Sequence, residues 1–127
     1  MKILIVGGAG FIGSHLCESY VSSHSVTSLD NYLSGKKENH VDGVEYLEMD
    51  AKDILSLDAQ YDLIFHFGEY SRVEKSLEKI DFVLENNSLP ILNILKFTKK
   101  CNAKLMYAGS STKFSDKGEN KYKSPYA

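Results

Sequence analysis

Residues Lys2 to Leu16 read KILIVGGAGFIGSHL, and this stretch limits the possible folds more than any other. Ile3, Leu4, Ile5 and Val6 form a short apolar run rich in β-branched residues, which suits a strand buried on both faces of a parallel sheet. Gly7, Gly8 and Gly10 follow at once, and Phe11, Ile12, Leu16 and Tyr20 then recur at helical spacing. The order is strand, glycine turn, helix. A helix N-terminus reached this way presents free N–H groups and a positive dipole end, a seat for a pyrophosphate. The spacing is Gly7-x-x-Gly10-x-x-Gly13 rather than the commoner G-x-G-x-x-G. Gly7 permits the tight turn, Gly10 lets the backbone approach phosphates, and Gly13 lets helix and strand pack closely.

A glycine triplet alone is a weak signal, but this one has context. A second apolar segment, Ser25-Val26-Thr27-Ser28-Leu29, ends in Asp30. That acid falls about 20 residues after Gly10, where a ribose-binding carboxylate belongs in a dinucleotide site.

Further along, short apolar segments alternate with amphipathic ones. Strands are expected at Lys2–Val6, Ser25–Leu29, Val44–Glu48, Tyr61–Phe67 and Lys104–Ala108. Helices are expected at Phe11–Ser22 and from Asp81 to Lys100, the second with Phe82, Leu84, Leu89, Leu92, Leu95 and Phe97 among its apolar positions and Pro90 as a point of bending. Asn31–His40 reads as a loop with Ser34-Gly35 as a turn signal; Gly68–Glu78 begins as a polar loop, and Gly109 to Ala127 is polar and loop-like. The alternation predicts an α/β fold, a Rossmann-type parallel sheet with helices on both faces, formed as one domain over residues 1–127. Ligands of such sheets bind beyond the carboxyl ends of the strands. The residues just after each strand are Gly7–Gly13, Asp30-Asn31, Asp50-Ala51, Phe67-Gly68-Glu69 and Gly109-Ser110-Ser111-Thr112.

Composition narrows the function. Of 127 residues, 43% are hydrophobic, enough for a real core. A net charge of −2 with no basic cluster argues against nucleic-acid binding; Lys36-Lys37 and Lys99-Lys100 read as solvated pairs. No apolar run approaches the roughly 20 residues of a membrane span. The first strand begins at residue 2, which leaves no room for a signal peptide. Cys17 and Cys101 are the only cysteines, without C-x-x-C spacing, and the four histidines are scattered. This points to a reducing, cytoplasmic setting and away from structural zinc, with Cys17 as a small buried hydrophobe. His66 reads as a buried, hydrogen-bonded histidine, and Met106 and Tyr107 as core.

The ordered set VGGAGFIGSHL, LDNYLSGKKENH, MDAKDI, IFHFGEYSRVEKS, NNSLPILNIL, YAGSSTKF and SPYA resembles the extended short-chain dehydrogenase/reductases, in particular the nucleotide-sugar epimerases and dehydratases typified by UDP-glucose 4-epimerase. The resemblance runs from Met1 to Ala127. It implies NAD as cofactor. Gly7, Gly10, Phe11 and Ile12 match residues that cradle the pyrophosphate, with Gly13 completing the glycine pattern. Asp30 and Asn31 match those on the adenosine ribose, where a carboxylate disfavours the 2′-phosphate of NADP. Asp50 and Ala51 match the pair at adenine. Phe67, Gly68 and Tyr70 match the segment along the nicotinamide half, with Gly68-Glu69 where most members carry two alanines, and Asn87 matches an asparagine of the long helix.

Ser110 matches the hydroxyl residue that hydrogen-bonds the reacting sugar hydroxyl, with Ser111 and Thr112 as alternatives. Tyr126 matches the tyrosine of a Y-x-x-x-K pair, the base that removes that hydroxyl's proton while NAD accepts hydride at C4. The paired lysine, which would lower the tyrosine pKa, would fall four residues on, past Ala127, and the nucleotide-sugar domain is likewise outside the sequence. Two expectations follow. One is an epimerase-type enzyme acting on a UDP-sugar, completed by a homo-oligomer or a complementing polypeptide. The other is a non-catalytic NAD-binding module or degenerate fragment.

Overall fold

The computed structural model describes residues 1–68 and 80–108. Five strands form one sheet: β1 (Lys2–Val6), β2 (Ser25–Asp30), β3 (Glu45–Glu48), β4 (Leu63–His66) and β5 (Lys104–Tyr107). Their spatial order is β3-β2-β1-β4-β5, and every pairing is parallel. The chain builds outward from β1 to β3 on one side, then crosses back to lay β4 and β5 on the other. The strand order therefore switches between β1 and β4, the place where such sheets open a crevice at their carboxyl ends.

β1 lies in the centre, with Ile5 opposite Ser28 of β2 and Phe65 of β4. Side chains alternate across a strand, so β1 feeds both halves of the core. Leu4 and Val6 join Leu29, Ile54, Tyr61, Ile64, Ile94, Phe97 and Cys101 on one face. Ile3 and Ile5 join Cys17, Val26 and Phe65 on the other. Helix α1 (Phe11–Tyr20) contributes Cys17 to the second face, and helix α2 (Ile80–Cys101) contributes Ile94, Phe97 and Cys101 to the first.

All five expected strands and both helices form, with differences at their ends. α1 stops at Tyr20, where the Val21 and His24 N–H groups close the last turn on Cys17 and Tyr20 carbonyls. β2 runs one residue further, to Asp30. The stretch Asn31–His40 contains one short 3-10 turn, Lys37–Asn39. Residues Ala51–Ser56 form a second, which the sequence did not signal; Asp50 starts it by accepting from the Lys52 N–H at 3.0 Å. That turn buries Ile54 and is the main surface against which α2 packs.

α2 continues through Pro90, whose ring is fully buried. Packing thus offsets the hydrogen bond that the missing N–H costs the preceding turn. One expectation about the core is corrected, that for Met106 and Tyr107. Leu89, Leu92 and Leu95 lie on the outer side of α2, each more than half exposed, because Pro90, Ile94, Phe97 and Cys101 occupy the inner stripe. Met106 and Tyr107 are 48% exposed, because β5 is the outermost strand on its side among the described residues. Cys17 and His66 are buried as expected, and both cysteines are free thiols. No described helix is long and apolar enough to cross a membrane, and no group of His, Cys, Asp and Glu among the described residues could hold a metal ion.

Candidate cofactor site

The carboxyl ends of β1, β2, β3 and β4 meet around a cleft lined by Val6, Gly7, Leu29, Asp30, Asn31, Met49, Ala51 and Gly68. Each strand delivers its lining through its last residues or those just after them. The Gly7 N–H bonds the Leu29 carbonyl at 2.8 Å, the Met49 N–H bonds that of Asp30 at 3.0 Å, and the Phe67 N–H bonds that of Val6 at 2.8 Å.

Gly7 has φ +90°, a left-handed conformation that side chains rarely adopt, and a Cβ there would stand 2.6 Å from the Phe67 carbonyl oxygen. Gly13 lets α1 press onto the turn, since a Cβ would collide with the Gly7 carbonyl. Gly8 packs the turn onto Ser28 in the same way, a role the sequence reading did not assign. Gly10 is different: a Cβ there would meet only the Gly7 oxygen, at 3.4 Å, so the space beside it is open. Gly10 is also the N-cap of α1. It brings no side-chain hydrogen bond, and the first turn contains no acidic residue. Helices usually satisfy this end with a Ser, Thr or Asp side chain; here no side chain does, and such an end suits an anion. Phe11 and Ile12, the first residues of α1, are both exposed beside it.

Asp30 is buried to 8% exposure. Its Oδ2 accepts from the Ala9 N–H at 3.0 Å and its Oδ1 from the Tyr32 N–H at 2.8 Å. A carboxylate has about four lone-pair sites, so each oxygen keeps capacity for a hydroxyl. Asn31 turns its own oxygen to the Leu33 N–H at 3.1 Å. Tyr32, at φ +61°, has its phenol pKa raised, first by burial and then by the negative charges of Asp30 and Glu48.

Of the site residues read from the sequence, Gly7, Asp30, Asn31, Ala51 and Gly68 come together in this cleft, with Gly10, Phe11, Ile12 and Gly13 where α1 begins. Asp50 caps the turn after β3 while its neighbour Ala51 faces the cleft. Phe67 supplies the backbone that Gly7 must clear. Tyr70, Ser110 and Tyr126, and the side chain of Asn87, lie outside the described residues. Val6, Leu29 and Met49 join the lining without having been singled out. Met49 could have been found from its place immediately after a strand, next to Asp50.

An anion seat on an uncapped helix, a glycine-cleared crevice and a ribose-type carboxylate form a set that fits a dinucleotide. Comparison with known proteins agrees: residues 3–127 match the model of the NAD dependent epimerase/dehydratase family. The chain belongs to this family. Its similarity extends to UDP-glucuronic acid decarboxylase 1 of Danio rerio, 34% identical over 119 residues, which are 91% of this chain and 28% of that protein. Among solved structures, a UDP-galactose 4-epimerase superposes with a TM-score of 0.81 at 31% identity, over 91% of this chain and 40% of the other. The UDP-glucose 4-epimerase of Thermus thermophilus in complex with NAD superposes with a TM-score of 0.77 at 31% identity, over 87% and 38%. The chain thus spans between about a quarter and two fifths of these epimerase/dehydratase relatives. The shared portion is the Rossmann-type sheet and its cleft, and the cofactor of the family is NAD.

Proposed function

We propose that this chain is the cofactor-holding part of an NAD-dependent enzyme acting on a UDP-sugar, of the 4-epimerase type. The observation that carries the reading is the cleft at the strand-order switch, where Gly7, Asp30, Asn31, Ala51 and Gly68 line one crevice beside the uncapped start of α1. The Phe11 and Ile12 N–H groups hold the diphosphate beside Gly10, whose own N–H closes the turn on the Gly7 carbonyl at 3.1 Å, and Asp30 binds the adenosine ribose. Its charge repels a 2′-phosphate and favours NAD over NADP. The apolar lining of Val6, Leu29, Met49 and Ala51 excludes water from the adenine side.

NAD, when held by Asp30 and the start of α1, would supply a reversible hydride acceptor for the sugar carbon. The chain's own part in that step is assigned from sequence motifs alone. The Tyr126 phenolate takes the proton of the sugar hydroxyl, and Ser110 holds that hydroxyl in line. Relatives carry decarboxylase as well as epimerase names, and in this reading the reaction is set by residues around the sugar. In this reading the protein works as a homo-oligomer or with a complementing polypeptide, in a cytoplasmic setting.

Calorimetric titration with NAD tests the cofactor reading. The wild type is expected to bind, and Asp30→Ala to lose tenfold or more, as removal of hydrogen bonds to a charged group commonly does. Equal affinity of the two proteins would overturn it. In an assay of UDP-glucose and UDP-galactose interconversion, Tyr126→Phe should abolish turnover without altering NAD affinity; retained turnover would remove Tyr126 from the role of base.

A further inference from the structure

Ala9, in the middle of the glycine turn, ties three segments together. Its N–H donates to Asp30 Oδ2 at 3.0 Å. Its carbonyl accepts twice, from the Lys36 backbone N–H at 3.0 Å and from Asn39 Nδ2 at 2.9 Å. Between these anchors the loop folds over the carboxylate. The Tyr32 N–H holds Asp30 Oδ1, and a Cβ at Gly35 would lie 2.7 Å and 2.9 Å from the two Asp30 oxygens and 3.0 Å from the Ala9 methyl. Glycine at 35 is therefore required by proximity to Asp30, not by backbone conformation. The loop's ion pairs, Lys36 with Glu38 and Lys37 with Glu48, are both 3.9 Å long and solvent-exposed. Such pairs contribute little. The half-buried Asn39 amide is the side-chain bond that fastens the far end of the loop to the turn.

We infer that Asn39 is a positioning residue for the adenosine end of the cofactor: by pinning the loop 31–40 to Ala9 it keeps Gly35 over Asp30 and holds the carboxylate in the orientation that meets a ribose and turns away a 2′-phosphate. This rests on the cofactor reading proposed above. Asn39 acts through Ala9, Gly35 and Asp30 rather than as a ligand. Its effect is on population: a protein whose loop is closed only part of the time binds more weakly by that fraction. A loosened Asp30 also discriminates less between the two dinucleotides.

The test measures NAD and NADP affinity by calorimetry, with the unliganded melting temperature, for wild type, Asn39→Ala, Asn39→Asp and Asp30→Ala. Asn39→Asp keeps the size but sets an acceptor against the Ala9 carbonyl. Both Asn39 variants are expected to bind NAD three- to tenfold more weakly, the range for losing one hydrogen bond. NADP should weaken less, so the preference for NAD narrows while the melting temperature holds. Unchanged NAD affinity and preference would overturn the inference. So would an equal loss for both cofactors together with a lower melting temperature, which marks a merely structural role. If Asp30→Ala loses NAD and the Asn39 variants keep it, only the inference falls; if Asp30→Ala binds NAD as well as wild type, the cofactor reading falls with it.

Discussion

Cys17 sits at the back of the glycine turn, fully buried between α1 and the sheet, with its thiol 3.8 Å from the Gly8 carbonyl. Burial pushes its pKa up from 9.0 to about 11, because a thiolate there would lose its water. The sign is set by which state binds the proton more tightly. The folded chain keeps the proton to about pH 11 while the unfolded chain releases it near 9. The neutral thiol's contribution is therefore intact below pH 9 and is lost as pH rises toward 11. Burial raises Tyr32, Tyr46 and Tyr61 in the same direction. Unfolding free energies from urea titrations should fall as pH rises, with Cys17 contributing a slope nearing about 1.4 kcal/mol per pH unit between pH 9 and 11, and Cys17→Ala should flatten the curve. At this scale the sequence was legible where one residue's type and spacing carry the role, as with Gly7 and Gly13. It was silent on Ala9 and Asn39 and marked Gly35 only as a turn, because their work is done by backbone groups and by neighbours up to 30 positions apart, which no periodicity records.

Among the elements, α2 shows both sides of that legibility. Its apolar spacing marked the helix to within one residue at each end, yet not which stripe faces inward. Leucines at 89, 92 and 95 and the buried set at 90, 94, 97 and 101 both follow a helical repeat. Only the sheet and the turn Ala51–Ser56 decide between them, and that turn had no sequence signature of its own. The end of α2 is set by Asn102, in the left-handed region at φ +54°, with the Asn102 N–H on the Lys99 carbonyl at 3.1 Å and the Ala103 N–H on that of Thr98 at 3.0 Å. This is the paired C-terminal closure that glycine or asparagine usually makes. Its geometry aims the chain into β5, where the Lys104 N–H bonds the Asp62 carbonyl at 3.0 Å. Asn102→Ala should cost about 1 kcal/mol and Asn102→Gly none, read as shifts in the urea midpoint at constant slope.

For the molecule as a whole, the sheet order makes stability uneven. β1 is paired on both sides and buried on both faces, whereas β3 has a single neighbour and half-buried or exposed residues. Native-state hydrogen exchange should leave the Ile3–Val6 amides among the last to exchange and release those of Glu45–Glu48 well before them; equal protection would contradict a core centred on β1. The same arrangement has a bearing on synthesis. The strand made first is the one that must end in the middle. It meets one flank once residue 30 has emerged, and the other only after residue 66. During the interval a nascent ribbon of two and then three strands carries a raw, greasy border with its rightful mate still inside the ribosome, and chaperones would find their best hold on the growing polypeptide there.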